Sequence, residues 1–426
     1  MIDLQQYRSI SFHQANPDMD LVQLAAKLGF TDVCFQTEMP QFKRLMKQGL
    51  LDDMPSMKKG QVQMAALEYF GREGRHQGWF DAISTLSMSV SIWTREYEDL
   101  LPEWGEPDAA NDVYFEALEE KYDRLLSDVV PEADVIHLTI AESELQTDDP
   151  NLILRTAETI DRACRRHDTV LVFRSFAYEF QVKAMAETLR RLPSHIPVMH
   201  KYGPRDWHIR GRINDMIGAC GDRFEIVEED IAGEYYRRNE VANCMVDAFA
   251  ERARAAMEKG ASPCMLRVNR GWDMTKNAQG SIYGEVQESH LWAYAHWLRT
   301  DSIDVETPLQ AWGASVFGES VAAEAAAVFR PTGAVMAEAL CVDDFPFGDT
   351  RNAVPCVRTT GGDWGWKQTP YNEARAWRDD ETPPPIPHLI GGRFSPPDWR
   401  LITPLAQPRS SHFQNKEMLP AFHRLR

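Results

Sequence analysis

The side chains able to do chemistry gather where short apolar runs break off. VMHKYGPRDW, Val198 to Trp207, is an apolar run that stops at a Gly-Pro pair and presents His200, Lys201, Asp206 and Trp207. Other runs end the same way. VIHLTI leads into AESE with Glu142 and Glu144, and TVLVF leads into RSFAYE with Arg174 and Tyr178. FEIVEED carries Glu228, Glu229 and Asp230, while CMLRV leads into NRGWD with Asn269, Arg270, Trp272 and Asp273. An apolar strand ending in a turn that bears acidic and basic groups is how a barrel strand opens onto an active site. Carboxylates facing cations and aromatic rings from neighbouring strands make a polar cup with a few flat walls. Such a cup suits a sugar, whose hydroxyls take charged hydrogen-bond partners and whose ring faces stack on Trp or Tyr.

The reaction that uses this set is glycoside hydrolysis, in which one protonated carboxyl donates to the leaving oxygen and an ionised carboxylate attacks the sugar or activates water. Proton transfer of this kind contributes roughly 10²- to 10⁴-fold, about 3 to 5 kcal/mol of barrier. Each residue also has a purely structural use. Glu142 or Glu144 could cap the helix that follows, and Arg174 could neutralise a barrel carboxylate. Strand alternation forbids Glu228, Glu229 and Asp230 from all facing inward, so at least one is solvated or paired. A competing reading is a metal-dependent sugar isomerase or epimerase using His137, His200 and His208 with carboxylates. Those spacings match no metal motif, and no metal or other cofactor is expected. A third reading is a non-catalytic carbohydrate-binding barrel.

The elements that must position these residues alternate. Strands are predicted at Arg8 to His13, Thr31 to Gln36, Met88 to Trp93, Asp134 to Ile140, Thr169 to Phe173, Pro197 to Lys201, Phe224 to Glu229 and Cys264 to Val268. Helical periodicity falls between them: Met19 to Leu28, a region through Phe80 to Thr85, Val113 to Val129, Asp149 to His167, Phe180 to Leu192, a short piece Ile213 to Cys220, Glu240 to Lys259, and an aromatic-rich helix Tyr283 to Leu298. This alternation predicts a closed (β/α)8 barrel over residues 1–304. A doubly wound open sheet is disfavoured because no glycine-rich phosphate loop follows the first strand.

Residues 305–426 read differently. Pro308 to Phe317 and the Ala-rich Ser320 to Cys341 look helical, while from Asp343 onward Pro, Gly and Trp are frequent and PPPIP, Pro383 to Pro387, fits no helix interior or central strand. The expectation is a helical, then extended segment that wraps the barrel or reaches a partner subunit in a homo-oligomer. With 426 residues, 43% hydrophobic and 26% charged, the chain has the composition of a globular protein. The formal charge of −18 excludes nucleic acid and anionic membrane surfaces as expected partners, though not an acidic small substrate. Seven scattered Cys without a CxxC suit reduced thiols. MIDLQQYRSI lacks a basic start followed by an apolar run, so a cytoplasmic location is expected.

Several runs together carry a resemblance. HKYGPRDW resembles the strand-six motif of the α-glucuronidases of glycoside hydrolase family 67, which place a Lys five residues before an Asp around a Gly-Pro. VIHLTIAESE resembles that family's strand-four segment ending in Ser-Glu, FRSFAY its Arg-x-Phe-x-Tyr strand, and FEIVEEDIAGEY the strand with a second acid shortly before a Gly. VNRGWD, followed by LWAYAHWL and SVFG, is similar to its last strand and the helix leading out of it. The likeness spans roughly residues 110 to 320. It implies Glu144 as general acid, Asp206 holding and deprotonating the attacking water, and Glu229 or Asp230 as second base. Alternation favours Glu229, if Phe224 and Ile226 pack outward, whereas the glycine offset favours Asp230. Arg174 and Lys201 would pair with the substrate carboxylate, and Tyr178, His200, Trp207, Asn269, Arg270 and Trp272 would complete the pocket. The implied activity is inverting release of a uronic acid from a short oligosaccharide or uronic-acid glycoside.

The departures are specific. Thr139 stands where the family has a further Lys in strand four. The barrel pattern starts almost at Met1, so the family's N-terminal β-rich domain is expected to be absent, and the last stretch is unlike its helical C-terminal domain.

Overall fold

The computed structural model of the chain describes residues 3–12, 17–36, 59–96, 107–140, 147–177, 181–203, 213–233, 243–269, 281–342 and 345–346. Eight parallel strands close on themselves in sequence order: β1 (Ser9–Phe12), β2 (Asp32–Gln36), β3 (Ser89–Arg95), β4 (Val135–Thr139), β5 (Val170–Arg174), β6 (Val198–Lys201), β7 (Glu225–Asp230) and β8 (Ser262–Arg267). β8 returns to β1, with Met265 opposite Ser9. The expected (β/α)8 barrel is therefore the fold. Parallel neighbours need crossovers, and among the described residues these carry α1 (Met19–Leu28) between β1 and β2, α2 (Lys59–His76) and α3 (Trp79–Thr85) between β2 and β3, α4 (Asp112–Arg124), α5 (Pro150–Arg166) and α6 (Val182–Arg191) in the next three connections, and α7 (Val246–Glu258) between β7 and β8. Among the described residues no helix lies between β6 and β7, and α8 (Glu288–Thr300) follows β8.

Local chemistry sets the helix ends. The Asp18 carboxylate accepts from the backbone N–H groups of Asp20 and Leu21 at the start of α1, and Asn111 caps α4 the same way. Asp149 accepts from Asn151 N–H at 2.9 Å and Pro150 opens α5, so Asp149 caps that helix; Glu142 and Glu144 lie outside the described residues. Two helix expectations are corrected. Ile213 to Cys220 is a run of turns, because Gly218 adopts φ +79 and a side chain there would meet the Lys259 carbonyl at 2.8 Å. Ser320 to Cys341 is broken into a 3-10 turn, α10 (Ala322–Phe329) and α11 (Pro331–Leu340), Pro331 having no N–H with which to continue the first helix.

The barrel interior is layered. At the N-terminal ends of the strands Asp32 is buried among hydroxyls, receiving hydrogen bonds from Ser9 (2.6 Å), Ser89 (2.7 Å) and Ser91 (2.6 Å), with the Tyr7 phenol at 3.1 Å. That phenol also lies 2.9 Å from His137 Nε2, and burial holds the His137 imidazole neutral, its pKa lowered to about 3. Above this floor Cys34, Trp93, Val135, Val172, Met199, Ile226 and Met265 form an apolar layer. Outside the strands a larger core fills the space between sheet and helices.

The helices beyond residue 305 share that outer core. Leu309 and Trp312 of α9 (Glu306–Phe317) and Ala326 of α10 belong to it. α11 sits so close to the lead into α7 that a Cβ on Gly333 would fall 2.1 Å from the Cys244 carbonyl oxygen, while Thr332 Oγ1 accepts from Cys244 N–H at 2.9 Å. A two-stranded antiparallel pair, β9 (Cys341–Val342) with β10 (Phe345–Pro346), follows. The proline-rich stretch Pro383 to Pro387 lies outside the described residues. Among the described residues no helix is long and apolar enough to cross a membrane.

Burial raises the Asp32 pKa to about 6 although its hydroxyl neighbours pull it down. The folded value lies above the unfolded one, so this group's contribution to stability is complete below about pH 4 and is lost as pH rises through 6. Asp32→Asn should remove that loss. By urea unfolding, wild type should weaken relative to the variant by about 3 kcal/mol between pH 4 and pH 7. Parallel pH profiles for the two proteins would contradict the assignment.

Candidate active site

At the C-terminal ends of the strands the interior becomes charged. Glu228, fully buried on β7, accepts from Arg174 Nε of β5 at 2.9 Å on one oxygen and from Arg267 Nε of β8 at 2.5 Å on the other. Burial opposes a charge at Glu228, but Arg174, Arg267 and Lys201 outweigh it and hold the carboxyl below the ordinary carboxylate range. Both guanidiniums cover the face of Trp93, Arg174 at 4.4 Å and Arg267 at 5.1 Å from the ring centroid. The Trp93 indole N–H donates to Thr139 Oγ1 at 2.8 Å. Thr139 thus fixes the plate on which the two arginines lie. Lys201 sits opposite Glu228 in the β6–β7 register, its ammonium 4.0 Å from the Phe176 ring centroid.

The β7 alternation is the reverse of the expected one. Ile226 packs into the barrel interior, so Glu228 and Asp230 share the inner side and Glu229 faces the helices. The premise that Ile226 points outward fails because Val227, not Ile226, joins the outer cluster with Tyr202 and Ile217. Glu229 lies 3.1 Å from Arg252 Nε of α7, and that guanidinium stacks 4.1 Å over the Tyr202 ring. Burial pushes the Glu229 carboxyl up to about 8, with Arg252 opposing. Asp230 is buried, faces Arg267 across the β7–β8 register, and accepts from Ala232 N–H at 3.2 Å.

His200 also turns outward. Its Nδ1 is 2.6 Å from Ser175 Oγ and its Nε2 3.1 Å from a Glu225 oxygen, on the helix side of the wall. His137 belongs to the interior floor, so His137 and His200 lie on opposite sides of the strands and cannot ligate one ion. Arg174, Lys201 and Asn269 stay with the mouth, Asn269 buried and bridged to Ser281. Glu144, Asp206, Tyr178, Trp207, Arg270, Trp272 and His208 lie outside the described residues.

Sequence reasoning named Glu228 among the strand-seven acids but gave it no role, and did not choose Arg267 or Trp93 for the site. Arg267 carried a signal, a cation inside the apolar run CMLRV two positions before Asn269. Trp93 lay at the end of MSVSIW, where the alternation of β3 points to the mouth.

No protein-family model and no curated protein matches the chain. Solved structures match it in fold. A sugar phosphate isomerase/epimerase from Parabacteroides distasonis ATCC 8503 is 7% identical, with a TM-score of 0.38 over 68% of this chain and 95% of that one. A GH5_18 variant from Streptomyces cattleya in complex with Manb1-4GlcNAc is 13% identical, with a TM-score of 0.39 over 70% of this chain and 82% of that one. A thermostable xylanase mutant from Cellvibrio japonicus is 13% identical, with a TM-score of 0.37 over 68% of this chain and 98% of that one. These likenesses are of barrel outline and carry nothing about substrate.

Removing Arg252 would leave Glu229 buried without its counter-charge. Arg252→Met should cost on the order of 3 to 5 kcal/mol at pH 9, where the carboxylate is ionised, and much less at pH 5, where it takes up a proton. Thermal unfolding at the two pH values reads the difference. An equal loss at both would mean that Arg252 acts through packing alone.

Proposed function

We propose that the chain is a glycoside hydrolase of α-glucuronidase type that releases a uronic acid from a short oligosaccharide with inversion. The observation that carries this reading is the cationic mouth: Arg174, Lys201 and Arg267 at the ends of β5, β6 and β8, gathered around Glu228 with Trp93 beneath. A sugar carboxylate needs guanidinium or ammonium partners in a water-poor cup, and a planar fork held by a second anion keeps its geometry before substrate arrives. Glu228 has both oxygens engaged and stays ionised, so it positions the arginines rather than donating a proton.

In this reading Glu144 protonates the leaving oxygen and Asp206 holds the attacking water. Asp230, which shares the inner face with Glu228, is the second base, and Glu229 is a structural partner of Arg252. An inverting pair requires about 6.5 to 9.5 Å between acid and base, room for one water.

Sugar release from a panel of α- and β-linked aryl uronides and uronic-acid-capped oligosaccharides tests the activity, and proton NMR of the first product reports its anomer. The inverted anomer is expected; the retained one would rule out the mechanism. Glu144→Gln should lose at least 10²-fold on natural glycosides and recover much of it on a substrate with an activated leaving group, whereas Asp206→Asn should not recover. Asp230→Asn should lose activity to a similar degree, while folded Glu229→Gln keeps its kcat. The opposite ranking of those last two would return the second base to Glu229.

A further inference from the structure

On the helix side of β6 and β7, away from the mouth, three unlike donors converge in a fully enclosed place. His200 is 0% exposed, Cys220 3% and Glu225 4%. His200 Nε2 lies 3.1 Å from Glu225 Oε2 and 3.7 Å from Cys220 Sγ, and one ligand atom from each residue falls within 4.8 Å of the others. We infer that His200, Cys220 and Glu225 form a binding site for a divalent zinc-class ion, which ties the turn between β6 and β7 to the barrel wall.

The distances fit a tetrahedron. Bonds of about 2.0 Å to nitrogen and oxygen and about 2.3 Å to sulfur give edges of roughly 3.3 Å between N and O and roughly 3.6 Å between N and S. The surroundings orient each donor. Ser175 Oγ at 2.6 Å from Nδ1 fixes the imidazole plane and can accept the ring proton, leaving the Nε2 lone pair for the ion. Gly218 N–H and Cys220 N–H donate to the two Glu225 oxygens at 2.7 and 3.0 Å, which aims the carboxylate while leaving a lone pair on each oxygen. Charge also balances, since a dication with one thiolate and one carboxylate is neutral, as a buried cluster must be.

In the metal-free protein burial, and after it the Glu225 charge, push the Cys220 thiol up to about 12. Binding therefore displaces the thiol proton to solvent as the sulfur–metal bond forms. The ligands come from β6, the turn and β7, and the two strands continue into Lys201 and Glu228. An ion here would stiffen the scaffold of the mouth without touching substrate.

The test uses the full chain, stripped with a chelator and titrated with Co²⁺ and, separately, Zn²⁺. One equivalent of Co²⁺ should give a thiolate-to-cobalt charge-transfer band in the near ultraviolet and tetrahedral d–d bands in the visible, and Zn²⁺ should displace it. Cys220→Ser should abolish the charge-transfer band, and Glu225→Gln should weaken Co²⁺ binding at least tenfold, both with native circular dichroism. Zn²⁺ should raise the Tm of wild type and not of Cys220→Ser. A stripped protein that binds no Co²⁺, or the same thiolate band in Cys220→Ser, overturns the proposal and leaves the three residues as a hydrogen-bonded turn clip. Either result is independent of whether uronides are hydrolysed.

Discussion

One buried anion between two guanidiniums organises the upper half of the barrel. Glu228 is shut off from bulk solvent, so its charge is supportable only while Arg174 and Arg267 hold their positions. The arginines in turn need the Trp93 face, and Trp93 needs Thr139 to take its indole N–H. Residues from β3, β4, β5, β7 and β8 are thereby set in one arrangement by mutual requirement. Taking one partner from such a set costs on the order of 3 to 5 kcal/mol, so the stability of the mouth is inseparable from its charge pattern.

The same anion fixes the direction of every neighbour on β7. With Glu228 inside, Ile226 belongs to the apolar layer below and Glu229 must find a partner among the helices, which Arg252 provides. The fold therefore contains two buried acid–base groupings back to back across one strand, one inside the barrel and one beneath α7. Beside them, on β6 and at the start of β7, His200 and Glu225 make a third polar group on the outer side. β6 and β7 thus carry polar side chains on both faces.

The barrel was legible because its signal is redundant. Eight apolar runs alternating with helical periods admit few topologies, and caps such as Asp18 and Asp149 sit where their sequence context puts them. Side-chain direction on β7 was not legible. FEIVEE offers a charged residue in both parities, and only the arginines on β5 and β8, remote in sequence, decide which parity goes inside. His200 misled for a related reason: its neighbour Lys201 is the inward residue of the pair, and Ser175, Cys220 and Glu225 supply outward partners that no local spacing reveals. The 213–220 turn read as helical from its apolar spacing, and Gly218 with positive φ overruled that spacing.

Gly333 leaves no gap between α11 and the segment entering α7. Backbone there touches backbone, as cogwheel teeth mesh when nothing is left to trim. A displacement of α11 would therefore be handed on to Cys244, Met245 and, through the hydrogen bond of Met245 N–H to His290, to α8. The helices that follow the barrel are mechanically geared to the two that close the ring.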